Sequence, residues 1–244
     1  RTENLINQIT NYINQEVQLE KVAVELDLSN FAGDDYSDEV EQIINEASNL
    51  VTSKNYNQPD EVDQIIEDAK VRITEQLLLE HKETKKTEVD TYVDSLVTTI
   101  DPALQMIITT GKTSIDSQTS ITNVDTKYTE TKAQIDEYLR TKVDETRTSN
   151  GLVLETHAGN NRTASVDALI NQFKDEVTSM NYNNQTEIET LVNDYKVLIT
   201  EQLLLEQKQA TKNGIDTYVD SLVTAIDPDL QSIIDAAKTE IDNQ

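Results

Sequence analysis

The chain has 244 residues, of which 46 are acidic and 20 basic, and its formal net charge of −26 makes nucleic acid and anionic membrane surfaces unfavourable partners. Leucine, isoleucine, valine and phenylalanine make up about a quarter of the residues, above the roughly 20% typical of disordered polyanions, so the chain should fold around a thin core. It contains no cysteine for disulfides or thiolate metal sites, and no apolar run near the roughly 20 residues of a membrane helix.

The first departure from a helical pattern lies near the N-terminus. From Val22 to Leu28 apolar residues alternate with other residues, which predicts a short, half-buried strand. A turn-rich segment follows at Ala32 to Asp35, where glycine can supply positive φ and aspartate can cap the next helix. Residues 150–154 and 158–161 partly repeat both features. Each half of the chain should therefore hold a β-like insertion that needs a partner strand.

The remaining segments have the period of amphipathic helices. Apolar residues recur at steps of three and four through residues 62–79 and 89–108, and a loop at 55–58 precedes them. Asp101 followed by Pro102 predicts a helix start, because aspartate caps helices and proline fits the first helical position. Asp227 and Pro228 repeat this signal.

From Pro102 the helical pattern continues to Val143, with no glycine or proline after Gly111. It predicts a continuous helical connector through the middle of the chain. Such a connector between successive units is typical of a stiff rod, whereas a flexible linker would leave the units free to move.

The chain is a tandem repeat with an offset of 126 residues. Of the 33 residues from Lys70 to Pro102, 24 are identical to those from Lys196 to Pro228, and the offset holds without a gap in both directions. Copy 1 is residues 1–126 and copy 2 is residues 127–244, which stops about eight residues short. Both copies are acidic, with formal charges of −16 and −10. The missing starting Met and the short second copy favour a piece of a longer array, with a natural C-terminus as the alternative.

Few residues in the chain suggest chemistry. His81 and His157 have Gln207 and Phe31 as counterparts, so neither histidine belongs to a duplicated site, and no catalytic or zinc role is expected. Phosphate-binding glycine loops and the nucleophile motif G-x-S-x-G are missing. We therefore expect no enzyme, no catalytic residue and no cofactor.

Calcium binding is considered separately, because the chain has acidic residues near a glycine-containing loop. Asp34, Asp35 and Asp38 lie in or beside a glycine-containing loop and offer hard oxygen ligands. The EF-hand spacing is missing, however, and their counterparts Asn160, Asn161 and Ala164 carry no charge. Weak divalent cation binding stays open as an alternative.

Two further groups of residues bear on assembly and export. Tyr92 and Tyr218 lie in the strongly matched block beside the apolar stripe, which favours packing between helices or subunits. If the alternating segment is a strand, it can pair with a strand of a neighbouring subunit and so drive assembly. The residues predicted to act in this way are Val22, Val24, Leu26 and Leu28. Asn161 and Asn184 each begin an N-glycosylation acceptor pattern, which favours an exported protein.

The sequence predicts a mostly α-helical tandem-repeat protein, an elongated bundle or coiled-coil-like rod with a short β-like insertion in each repeat. Its expected function is non-enzymatic: a self-assembling fibre, filament or surface appendage, with copies of itself as partners. The expected location is extracellular, on a cell surface or on a virion. The alternative is an adhesin or receptor-binding stalk whose loops at residues 32–35 and 158–161 contact a surface ligand.

Overall fold

A computed structural model of the chain describes residues 1–178, 182 and 184–244. Within these ranges the regular elements are all helical, which confirms the prediction of a mostly α fold. The α-helices are α1 (Thr2–Ala32), α2 (Asp38–Leu50), α3 (Pro59–Leu96), α4 (Pro102–Asp116), α5 (Ile121–Ala158), α6 (Ala164–Thr178), α7 (Gln185–Leu222) and α8 (Pro228–Asp242), with a 3-10 turn at Gly159–Asn161. A shift of 126 residues carries the bounds of α3 onto α7 and those of α4 onto α8.

The strand predicted from Val22 to Leu28 is wrong, because these residues lie inside α1. Val24 and Leu28 are buried, whereas Val22 and Leu26 are exposed. In a helix, residues two positions apart point to nearly opposite sides and residues four apart share a face, so a short alternating run also fits a helix. The strand-like insertion predicted at residues 150–154 is wrong for the same reason, since this segment lies inside α5.

The chain divides into two compact units, the first made of residues 1–93 and 105–133 and the second of residues 94–104 and 134–244. The core of the first unit lies where α1, α2 and α3 meet. Its buried residues are Val24, Leu28, Val40, Ile43, Ile44, Ala47, Val51, Val62, Ala69 and Ile73. These side chains recur at helical spacing, so each helix presents one apolar stripe to the other two.

The core of the second unit is built in the same way from α5, α6 and α7. Its buried residues are Leu154, Ala158, Val166, Ile170, Phe173, Val177, Ile188, Val192, Tyr195 and Ile199. Most of these positions are the first core shifted by 126 residues. The largest differences are Phe173 and Tyr195, which occupy the positions of Ala47 and Ala69.

Helix caps also recur at the repeat offset. Ser37 precedes α2; its hydroxyl accepts from a backbone N–H of the first turn at 3.2 Å and donates to Glu80 of α3. Thr163 precedes α6; its hydroxyl accepts from the equivalent N–H at 3.3 Å and donates to Glu206 of α7 at 2.8 Å. Each cap therefore ties the start of one helix to the middle of the next in both units.

The helix predicted from Pro102 to Val143 is interrupted. α4 ends at Asp116 and α5 begins at Ile121, with a turn at residues 117–120 between them. The hydroxyl of Ser120 accepts from the backbone N–H of Asn123 at 3.3 Å, a serine cap that ends the continuity. The boundary between the two sequence copies lies inside α5, so the prediction of a helix at that point is confirmed.

Gly111 allows α4 to approach Thr131 of α5 closely within the first unit. A Cβ on residue 111 would lie 2.6 Å from Thr131 Oγ1 and would overlap its methyl group. Gly111→Ala should therefore lower the free energy of unfolding, because overpacking costs about 1–3 kcal/mol and outweighs the roughly 1 kcal/mol that alanine gains over glycine in a helix. Urea denaturation followed by circular dichroism measures this change.

Gly214 of α7 provides the matched control, since a Cβ there would meet no atom within 4 Å. Gly214→Ala should raise the stability by up to about 1 kcal/mol through helix propensity alone. Adding Thr131→Ala should relieve most of the cost of Gly111→Ala. Equal gains from the two glycine substitutions would show that the close approach carries no constraint.

Candidate assembly site

A polar cluster in the second unit is centred on Asp101, the residue before α4. Its Oδ1 accepts from the backbone N–H groups of Ala103 and Leu104, each at 2.9 Å, which confirms the predicted helix start. The hydroxyl of Tyr138 donates to the carboxylate at 2.8 Å, and that of Tyr182 donates to it at 2.7 Å. A helix cap thus also serves as the meeting point of two tyrosines that are distant in sequence.

These contacts fix the protonation of the cluster. Partial burial would raise the pKa of Asp101, but the N–H of Leu104 and the hydroxyls of Tyr182 and Tyr138 stabilise the charged form and hold its pKa at about 2. Burial, followed by the neighbouring negative charge of Asp101, raises the pKa of Tyr138. At neutral pH the carboxylate is an acceptor and the Tyr138 hydroxyl a donor, which suits a fixed structural contact better than proton transfer.

Three buried apolar residues lie three or four positions from Asp101 or Tyr138 in the sequence. Val97 is 7% exposed, and both Leu104 and Ile135 are fully buried. The rings of Tyr138 and Tyr182 pack edge to face, with centroids 6.4 Å apart. We call the following set the internal junction: Val97, Asp101, Leu104, Ile135, Tyr138 and Tyr182.

The internal junction joins residues of the two sequence copies, although all of it lies within the second unit. Val97, Asp101 and Leu104 come from copy 1, and the other three residues come from copy 2. Sequence reasoning identified Asp101 as a helix cap and did not identify its tyrosine partners. The sequence signal that could have pointed to the junction is that each of its six residues has an identical counterpart 126 residues away.

These counterparts fall into two sets, one in each unit. The counterparts of Ile135, Tyr138 and Tyr182 are in the first unit, and we call them the head surface: Ile9, Tyr12 and Tyr56. The counterparts of Val97, Asp101 and Leu104 are in the second unit, and we call them the tail surface: Val223, Asp227 and Leu230.

The predicted strand-addition residues occupy two different environments on α1. Val24 and Leu28 belong to the core of the first unit, and Val22 and Leu26 face outward. Strand addition is excluded as their mode of assembly because the segment is helical. A role in assembly for exposed Val22 and Leu26 stays a prediction.

Tyr92 and Tyr218, the other predicted assembly residues, are counterparts in different surroundings. Tyr92 is half-buried, and Nζ of Lys132 lies 4.1 Å from the centre of its ring. Tyr218 is exposed. Lys132 belongs to copy 2, so copy 1 and copy 2 are also in contact here.

The two glycosylation candidates lie at helix ends. Asn184 is exposed and caps α7, accepting from the N–H of Glu187 at 3.3 Å and donating to its carboxylate at 2.6 Å. Asn161 ends the 3-10 turn, and its side chain lies outside the described part of the chain. Modification of either residue stays a prediction.

The histidines make separate local contacts. His81 Nε2 lies 2.7 Å from Asp125 Oδ1, and His157 Nε2 lies 3.0 Å from Thr200 Oγ1 and 3.1 Å from the Lys196 carbonyl oxygen. Each ring thus links neighbouring helices.

The predicted cation ligands do not form a cluster. Asp34 and Asp35 lie in the bend after α1, and Asp38 is the first residue of α2. Among the described residues no group of three or more histidine, aspartate or glutamate side chains has the spacing to hold a metal ion.

No protein-family model, curated protein or solved structure matches this chain. Across the described ranges, no helix combines the length and the apolar character needed to cross a membrane. The contacts themselves define an all-α protein in which residues from two sequence copies meet at the internal junction.

Proposed function

We propose that this chain is a non-enzymatic structural protein whose 126-residue repeat self-assembles into an elongated fibre, filament or surface appendage. The internal junction carries the proposal, because residues of copy 1 meet residues of copy 2 there through side-chain types that both copies possess. Repeat proteins gain stability from contacts between neighbouring units, so each added unit extends the protein at little cost.

The charge of the repeat argues against assembly by lateral packing. Both copies are strongly acidic, which opposes lateral packing of neighbouring chains at low salt. The chain has no cysteine, so apolar packing and hydrogen bonds must supply the cohesion. The junction offers both kinds of contact.

The setting of this function is proposed to be extracellular, on a cell surface or on a virion, and the acceptor patterns at Asn161 and Asn184 support it. Ligand binding by the loops at residues 32–35 and 158–161 stays a prediction. Gly33 and Gly159 in these loops have φ values of 99° and 71°, conformations that end α1 and α5.

Sedimentation velocity and small-angle X-ray scattering of the intact chain test the proposal. The mean mass should rise with protein concentration, reversibly on dilution, and should rise further with added salt, because salt screens the repulsion between chains of charge −26. Reversibility is the control against non-specific aggregation. A compact 27.5 kDa monomer at every concentration and salt level would contradict the proposal.

A further inference from the structure

We propose that two molecules of this chain dock to each other, with the head surface of one covering the tail surface of the other in the arrangement of the internal junction. The inference rests on the proposed self-assembly and specifies the residues and the direction of the contact. The occupant of each surface is a second copy of this chain.

The first argument is chemical identity. All three head residues and all three tail residues are the same residue types as their counterparts in the internal junction. Neighbouring positions are not all preserved, since Tyr128 corresponds to Thr2 and Lys132 to Ile6. The side chains required for the junction are therefore present a second time, three of them in the first unit and three in the second.

The second argument is exposure. Ile135 is fully buried in the junction, whereas its head counterpart Ile9 is 51% exposed. Val97 is 7% exposed, and its tail counterpart Val223 is 37% exposed. Leu230 is half-buried where Leu104 is fully buried. The head and tail residues Ile9, Val223 and Leu230 are thus less buried than their identical counterparts at the junction. Water-exposed apolar area favours a partner.

The third argument is hydrogen bonding. Asp227 caps α8 through the N–H groups of Asp229 and Leu230 at 3.0 and 2.9 Å, as Asp101 caps α4. In the described part of the chain no tyrosine hydroxyl reaches Asp227, and Tyr12 is exposed. The tail thus contains a charged acceptor, and the head contains two phenols, exposed Tyr12 and half-buried Tyr56, which are complementary groups.

The contact is directional because the head and the tail are different surfaces. A head-to-tail interface leaves a free head and a free tail on every dimer, so assembly continues into an open filament unless the rotation closes a ring. A dimer with two-fold symmetry would instead use the same surface on both molecules.

Two departures from the repeat limit the strength of the contact. Lys142 Nζ lies 5.7 Å from the ring centre of Tyr138, but the counterpart of Lys142 is Glu16, which adds a negative charge near Asp227 of the partner. Gly111 and Thr131 correspond to Ala237 and Leu5, so their close approach is not reproduced. Docking is therefore weaker than the internal junction and is strengthened by salt.

Complementary variants test the inference. Ile9→Glu places a charge in the head surface and leaves the tail surface intact. Val223→Glu places a charge in the tail surface and leaves the head surface intact. Sedimentation velocity should show only monomers for each variant alone. An equimolar mixture should form dimers and nothing larger, because each mixed pair has one intact head and one intact tail.

Val71→Glu is the matched control. Val71 and its counterpart Val197 are both exposed, so this position is not covered at the junction, and the substitution makes the same change in charge. This variant should assemble like the wild type. Urea denaturation should give nearly unchanged stability for Ile9→Glu and Val71→Glu, whose side chains are 51% and 58% exposed, and at most a small loss for Val223→Glu, whose side chain is 37% exposed.

The outcomes separate the inference from the proposed function. If the wild type assembles and Ile9→Glu or Val223→Glu assembles equally well alone, the head-to-tail contact is wrong and self-assembly stands. A mixture that forms species larger than dimers also overturns the contact. If the wild type stays monomeric under all conditions, both fail.

Discussion

Phe173→Ala is expected to lower the free energy of unfolding by about 3–5 kcal/mol, the usual cost of emptying a buried phenylalanine site. Phe173 of α6 is fully buried among the core residues of the second unit. Its ring packs edge to face on Tyr195 of α7, with centroids 5.6 Å apart. The substitution removes both the buried area and this aromatic contact.

The surroundings of Phe173 should relax little into the cavity. The hydroxyl of Tyr195 donates to Glu176 at 2.6 Å, which holds the neighbouring ring in place. Burial and then the contact with Glu176 raise the pKa of Tyr195, so this hydroxyl remains a donor through neutral pH. Because the Tyr195 ring is held in place, it fills little of the cavity left by Phe173→Ala. The loss of stability should therefore lie near the upper end of the 3–5 kcal/mol range, at about 5 kcal/mol.

Phe31→Ala is the matched control, because Phe31 is the other phenylalanine of the chain and is exposed on α1. Its ring lies 5.6 Å from Nζ of Lys70, an exposed contact that contributes at most about 1 kcal/mol. Urea denaturation monitored by tyrosine fluorescence and circular dichroism should separate the variants clearly. Equal losses of stability would show that the Phe173 site is not a packed core.

The comparison of the two cores gives this prediction its physical basis. The counterparts of Phe173 and Tyr195 are Ala47 and Ala69, both buried in the first unit. The same helix positions thus hold either two small residues or two large ones. The helical period predicts which positions face inward, but the volume at each position depends on the partner across the core, which a single helix pattern does not contain.

Local chemistry explains which elements the sequence could predict. The helix starts after Asp101 and Asp227 and the loop at residues 55–58 were predicted correctly, because caps and turns depend on adjacent residues. The alternating run from Val22 to Leu28 predicts the wrong element, because seven residues fit both a strand and two helical turns. The break at residues 117–120 was missed because its signal is a serine cap with no proline.

The internal junction could not be predicted from any local pattern. Tyr138 lies 37 residues after Asp101, and Tyr182 lies 81 residues after it. Hydrogen bonds over such separations depend on which helices lie side by side, and the period of one helix does not specify its neighbours. The repeat shows that residues of the same type recur in both copies, and the structure adds that Asp101 of copy 1 meets Tyr138 and Tyr182 of copy 2.

Asp101→Ala should lower the free energy of unfolding by about 2–3 kcal/mol, while Asp227→Ala should cost only about 1 kcal/mol. Both substitutions remove a helix cap, which typically costs about 1 kcal/mol. Asp101 also accepts from Tyr138 and Tyr182, and hydrogen bonds to a charged group contribute about 1–2 kcal/mol together after allowance for their partial exposure. Urea denaturation of the pair isolates the contribution of the tyrosines.

The pH dependence provides a second measurement. The pKa of Asp101 is about 2 in the folded chain, below its ordinary 3.8, so its contribution is present above about pH 4 and is lost as the pH falls towards 2. The stability difference between wild type and Asp101→Ala should shrink across that window. Equal costs for the two aspartate substitutions would mean that the tyrosine hydrogen bonds add nothing.

The two aspartates should also separate folding from assembly. Asp101 already has its tyrosine partners within one molecule, so Asp101→Ala weakens the fold. Asp227 meets Tyr12 and Tyr56 only when a second molecule docks, so Asp227→Ala should abolish the concentration-dependent rise in mass at a small cost in stability. A variant that keeps its fold and loses its assembly is the result expected of a contact made between molecules.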